Sequence, residues 1–110
     1  MLQINFYVPN NDAELVKNAM FSAGAGKVGC YSHCAWQTDG TGQFMPTSGA
    51  NPAMGELNQL EILSEVKIEM ICTDECIDQV LSAMKTSHPY EEVAYSVIRL
   101  LQQPFEPENK

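Results

Sequence analysis

Basic residues are scarce in this chain. Six Lys and Arg stand against fourteen Asp and Glu, for a net charge of -8. A protein that tracks nucleic-acid phosphates needs a basic face, so this balance argues against nucleic acid as a partner. It is compatible with attraction of cations, and equally with an acidic surface that keeps a small protein in solution. No apolar run approaches 18 residues, and no basic stretch followed by an apolar one opens the chain. The expectation is therefore no membrane partner, no signal peptide and a cytoplasmic location. A secreted disulfide framework for the four cysteines, Cys30, Cys34, Cys72 and Cys76, would normally come with a shorter, loop-rich chain and a signal peptide. They read as reduced. Their two C-x3-C spacings do not match the knuckle turns of structural zinc sites, so they are expected as small buried hydrophobes.

What remains is an ordinary globular composition, 45% hydrophobic and 18% charged over 110 residues. That length suits one domain with one core. Segment 2–8 alternates, with Leu2, Ile4, Phe6 and Val8 on one side and Gln3, Asn5 and Tyr7 on the other, the period of a half-buried strand. Pro9 and Asn10 end it. Asn11 followed by Glu14 predicts a capped helix, whose inner face carries Leu15, Val16, Ala19, Met20 and Ala23. Gly24 stands where a helix end calls for positive φ.

The second half repeats the plan. Val66, Ile68, Met70 and Cys72 alternate with Lys67, Glu69 and Ile71. Thr73 is the expected N-cap of a second helix, with Cys76, Ile77, Val80, Leu81 and Met84 on its inner face. Segment 93–101 reads as a last strand. Between the halves, 31–38 and 59–65 read as extended, and Asp39-Gly40 and Thr41-Gly42 as turns. The order is β-α-β-β-α-β. It predicts an α+β, ferredoxin-like domain over 1–101, a four-stranded antiparallel sheet with two helices on one face. Residues 102–110 hold two prolines and no period, and are expected to be weakly ordered. The stretch 45–57 has two prolines, two glycines and no period. It is long for a connection in a compact domain, which marks it as a functional or mobile loop.

Three motifs carry chemistry-bearing residues. Gly24, Gly26 and Gly29 spell G-x-G-x-x-G, but they follow a helix instead of opening one, so no helix N-terminus is there to hold pyrophosphate. His33 beside Cys34, on the expected second strand, is a candidate ligand that would need help from His88 or a carboxylate, since neighbouring strand residues face opposite ways. His88-Pro89-Tyr90-Glu91-Glu92 joins the second helix to the last strand. Pro89 forces His88 to be extended and stops the helix. The histidine there reads either as a metal ligand or as part of a rigid corner, and in the latter case His88→Ala should cost only modest stability. No nucleophile–base pair can be named, so the chain is not expected to be an enzyme.

HPYEEVAY, with GAGKVGCYSHCAWQTDGTGQF upstream and TSGANP with GE in the loop, resembles the small PII-like domain inserted in Nif-three-like (NGG-interacting factor) proteins. The resemblance runs from about Phe6 to Leu100. SEVKIEMI, a helix and then HPYE also resemble the corresponding corner of CutA-type cation-tolerance proteins. Both resemblances imply the PII/CutA-like version of the same fold and a tendency to form homotrimers. The first implies that the 45–57 loop occupies the place of the PII effector loop. In that family a flanking part, which resembles a dinuclear metal hydrolase, carries the metal ligands. It lies outside this sequence, so its enzymatic assignment is not carried over. The expectation is thus a non-enzymatic trimeric binding or regulatory module that senses a metal ion or a small molecule. The loop would cap a cleft lined by His33, Glu56, His88, Tyr90 and Glu91, with a divalent metal as the candidate cofactor. The alternative is a structural or partner-binding trimer with no ligand of its own.

Overall fold

Alternating burial along the first strand sets the whole architecture. The computed structural model describes residues 1–101; the expected weak order of the tail falls outside the described residues. Strand β1, Leu2–Pro9, buries Leu2, Ile4, Phe6 and Val8. Helix α1, Ala13–Ser22, follows after a single 3-10 turn. Then come β2, Trp36–Phe44, and β3, Glu61–Cys72. A second 3-10 turn leads to α2, Ile77–Ser87, and β4, Tyr95–Arg99, closes the order.

The sheet runs β2-β3-β1-β4, antiparallel throughout. β1 and β3 are the central pair, and their even-numbered residues meet in register, Phe6 against Ile68 and Ile4 against Met70. The helices pack on that face, with Val16 and Met20 of α1 and Val80 and Met84 of α2 fully buried. Each such side chain contributes roughly 1.5–3 kcal/mol. The odd-numbered residues of β1 and β3 form a helix-free face, where Gln3, Asn5 and Glu69 are linked by side-chain hydrogen bonds with one another and with Ser96 of β4. The expected ferredoxin-like fold is the one observed.

Four local readings are corrected. β2 starts at Trp36, so Asp39-Gly40 and Thr41-Gly42 lie within a strand and not in turns. Residues 61–72 form one strand, because 61–69 pair with β2 and 65–72 pair with β1, the two ladders overlapping at its middle. Each helix is entered through a 3-10 turn, without a side-chain cap from Asn11 or Thr73. Leu15 is 62% exposed, since it lies at the edge of the α1 face, beyond the reach of the sheet. The cysteines are free; Cys72 is buried at the end of β3 and Cys76 partly buried beside the core, but Cys34 is only partly covered and Cys30 is exposed in the loop before β2, so the expectation of buried hydrophobes fails for Cys30. No helix among the described residues is long and apolar enough to cross a membrane.

Candidate functional site

The corner after α2 begins with a histidine whose two ring nitrogens are both committed. β4 pairs with β1 only as far as Phe6 opposite Tyr95, leaving the next carbonyl on that edge, Tyr7 O, without a strand partner. His88 Nε2–H donates to it at 2.7 Å. Nδ1 accepts the backbone N–H of Tyr90 at 3.1 Å. A carbonyl can only accept and an amide N–H can only donate, so these bonds fix a neutral tautomer with the proton on Nε2. The ring is 6% exposed, and burial holds its pKa below the usual imidazole value, against the opposing pull of the Tyr7 bond and of Glu65.

His88 in turn positions Tyr90. The rings lie 5.0 Å apart, and the Tyr90 ring packs against Phe44 at 5.8 Å. The Tyr90 hydroxyl donates to Glu65 Oε2 at 2.8 Å. Partial burial, together with this carboxylate, pushes the phenol pKa far upward, which keeps it a donor. Glu65 lies on the helix-free face opposite Gly40, two residues along from Gly42. A Cβ at Gly42 would collide with the Glu65 carboxylate. The glycine is therefore what lets Glu65 lie flat against β2.

Around this pair opens a cleft of ≈ 530 Å³. Tyr7, Gly42, Phe44 and Glu65 form its floor on the helix-free face. Tyr90, Glu91 and Glu92 form one wall, and the loop from Met45 to Met54 forms the other. Glu91 ties the walls together, because its Oε1 accepts the backbone N–H of Asn51 at 3.1 Å. The size and the mix of apolar walls with a few fixed polar groups are those of a small-ligand site.

Of the five residues singled out from sequence, Tyr90 and Glu91 line the cleft and His88 supports it from beneath. The expected joint site with His33 and Glu56 is not formed. His33 is not on a strand but in the loop before β2, at φ 60, with Nδ1 2.9 Å from Ser32 Oγ and its ring against Phe21. That loop is anchored on Ile71 through the Gly26 N–H. Glu65 is six residues earlier on the same strand, which is ~20 Å away at the rise of an extended chain. Glu56 is exposed and does not line the cleft. Among the described residues, no three His, Cys, Asp or Glu side chains are grouped to hold a metal ion. The residues that sequence reasoning missed are Glu65, Phe44 and Gly42. The only signal for them was the pair of glycines read as turns.

No family model matches the chain. It is 43% identical over 98 residues to the GTP cyclohydrolase 1 type 2 homolog of Mycobacterium tuberculosis, covering 89% of this chain and 26% of that protein. Against the Bacillus subtilis protein of the same name it is 45% identical over 100 residues, covering 91% and 27%. The chain thus spans about a quarter of the length of the curated relatives it matches. Among solved structures, a Bacillus cereus protein related to NIF3 aligns with a TM-score of 0.77 at 43% identity, over 90% of this chain and 25% of that one. CutA1 from Pyrococcus horikoshii aligns at TM-score 0.68 and 15% identity, over 94% and 87%. Bacillus subtilis GlnK aligns at 0.54 and 14%, over 88% and 83%. Along nearly its whole length the chain is therefore similar to one segment of NIF3-related proteins, and its fold is the CutA- and PII-like one.

Proposed function

We propose that this chain is a self-associating binding module that takes a small ligand in the cleft beneath residues 45–54. The observation that carries the reading is the pre-set floor of that cleft, in which Tyr90 is held by His88 and Glu65 is held by Tyr90. A side-chain pair fixed before the ligand arrives loses little freedom on binding. The loop tied to Glu91 supplies the facing wall. Binding without turnover is the role proposed for this segment; the cyclohydrolase name belongs to relatives of which the matched segment is about a quarter.

Self-association has separate support. β2 and β4 are the sheet's edges, and both are exposed almost throughout. Trp36 on β2 is 67% exposed, and Ile98 on β4 lies uncovered on the helix-free face. Unpaired edges with apolar side chains favour association, and a homotrimer is the state proposed. A divalent cation has weaker support as the ligand than a small organic molecule, because the donor groups are not gathered.

The test is an amide-resolved NMR screen of a small-molecule library on the full chain, with light scattering on the same sample. Binders should shift the amides of Gly42, Phe44, Tyr90 and Glu91 together, and the mass should be about three times 12.2 kDa. Binders that scatter over other surfaces, or none at all, would overturn the cleft. A mass of one chain would overturn the trimer.

A further inference from the structure

Resting on that reading of the cleft, we propose that its ligand is an organic cation, an ammonium or guanidinium group on an apolar stem, with Glu65 as its charge partner. Two features of the lining support this independently. The first is charge. Glu65, Glu91 and Glu92 all line the cleft, and none of its lining residues is Lys, Arg or His. Elsewhere among the described residues acids do find cations, Glu14 with Lys17 and Asp74 with Arg99 and the chain's amino group. The cleft carboxylates take part in none of those ion pairs. An anionic ligand would enter against three like charges, whereas a cation would complete them.

The second feature is the aromatic content. Tyr7, Phe44 and Tyr90 contribute rings to the same cleft. Ring faces attract cations within about 6 Å of the centroid, more strongly as water is excluded. A bare metal ion has no use for apolar walls, while the stem of an alkyl amine does. The geometry of Glu65 fits this division of labour. One oxygen is held by the Tyr90 hydroxyl. Oε1 lies over Gly42, where the missing side chain clears the way, and it accepts none of the hydrogen bonds formed among the described residues. It is an acceptor already oriented for a charged N–H donor.

The cation could be free or could be the side chain of a partner's Arg or Lys. The experiment therefore uses three probes at low ionic strength: agmatine, glutarate as an anion of similar length, and a capped Ala-Arg-Ala peptide. Isothermal titration gives affinity, and amide NMR gives location. Agmatine should saturate and shift Gly42, Glu65 and Tyr90, and glutarate should not. Glu65→Gln keeps an acceptor for Tyr90 and so retains the fold, but should weaken agmatine at least tenfold, as befits the loss of a charge-assisted bond. Phe44→Leu should weaken it as well. A tripeptide that binds more tightly than agmatine assigns the cation to a partner chain; the reverse assigns it to a free molecule. Unchanged agmatine affinity in Glu65→Gln, or binding of glutarate or neutral fragments in the cleft instead of agmatine, overturns the cation while leaving the cleft as a binding site. If neither these probes nor the library reaches the cleft, both readings fall.

Discussion

The two halves of the fold place a helix-to-strand corner at the same topological point, and they build it by opposite means. After α1 the chain turns on its backbone. The N–H groups of Gly24 and Ala25 return to the carbonyls of Phe21 and Met20, closing the helix with glycine at φ 117. Gly26, Gly29 and His33 then also take positive φ. After α2 there is no residue of positive φ between 88 and 94. His88 is extended at φ -72 and ψ 140, and its side chain does the bonding. A corner made by backbone freedom leaves its side chains outside: Cys30 and His33 are exposed. A corner made by a buried imidazole is rigid and can aim its neighbours, and Tyr90 and Glu91 project from it into the cleft.

The comparison is most exposed to failure at His88. His88→Ala strands the Tyr7 carbonyl and the Tyr90 N–H and opens a cavity beside Phe6. Two unmet, partly buried groups and a void predict a loss of about 3 kcal/mol by urea denaturation at neutral pH. That is larger than the modest effect expected from sequence, because sequence could not show both nitrogens engaged. A loss below about 1 kcal/mol would mean that the corner stands without its histidine.

The first corner should break at Gly26. A Cβ there would come within 2.7 Å of the Phe21 ring and 3.0 Å of the Cys34 carbonyl oxygen, at φ 80. Gly26→Ala should therefore cost about 2 kcal/mol. At Gly29, φ is 56 but nothing lies within 4 Å of a Cβ, so the alanine should cost only about 1 kcal/mol of backbone strain. Equal losses at the two glycines, again by urea denaturation, would show that close packing against Phe21 plays no part in the first corner.

Legibility in the sequence followed burial. β1, the second half of β3 and the inner faces of both helices announced themselves because each buries one side and exposes the other. β2 has no such contrast. It is an edge strand exposed almost along its length, so its residues carry no period and its two glycines looked like turns. The first half of β3 suffered from the same lack of cover, which hid Glu65 at the joint between two apparent segments. Tyr90 and Glu91 were legible because Pro89 fixes a corner next to chemistry-bearing residues. His33 was expected on a strand that in fact begins only at Trp36, and Glu56 comes from a loop without period, so no pattern in the sequence located either side chain.

Acid should act on one corner more than the other, through His88. Its folded pKa lies below the ordinary imidazole value of about 6.5, burial being the main cause. Between the folded and unfolded values the unfolded chain holds a proton that the folded chain does not. Stability then rises with pH across that window, and it is lost as pH falls below about 6.5. Protonation at Nδ1 would also remove the acceptor for the Tyr90 N–H, which couples the loss to the position of Tyr90. Asp74 has the opposite shift. The hydrogen bond from Arg99 lowers its pKa below 3.8, so its contribution is present above that value and is lost only in stronger acid. The two windows are therefore separable. Urea denaturation at half-unit steps from pH 7.5 to 5 should show stability falling toward acid in the wild type, and a shallower slope in His88→Gln, which cannot take up the proton. Tyr90 ring resonances should shift over the same range. An identical slope in both proteins would place the acid-sensitive group elsewhere and leave His88 with a packing role alone.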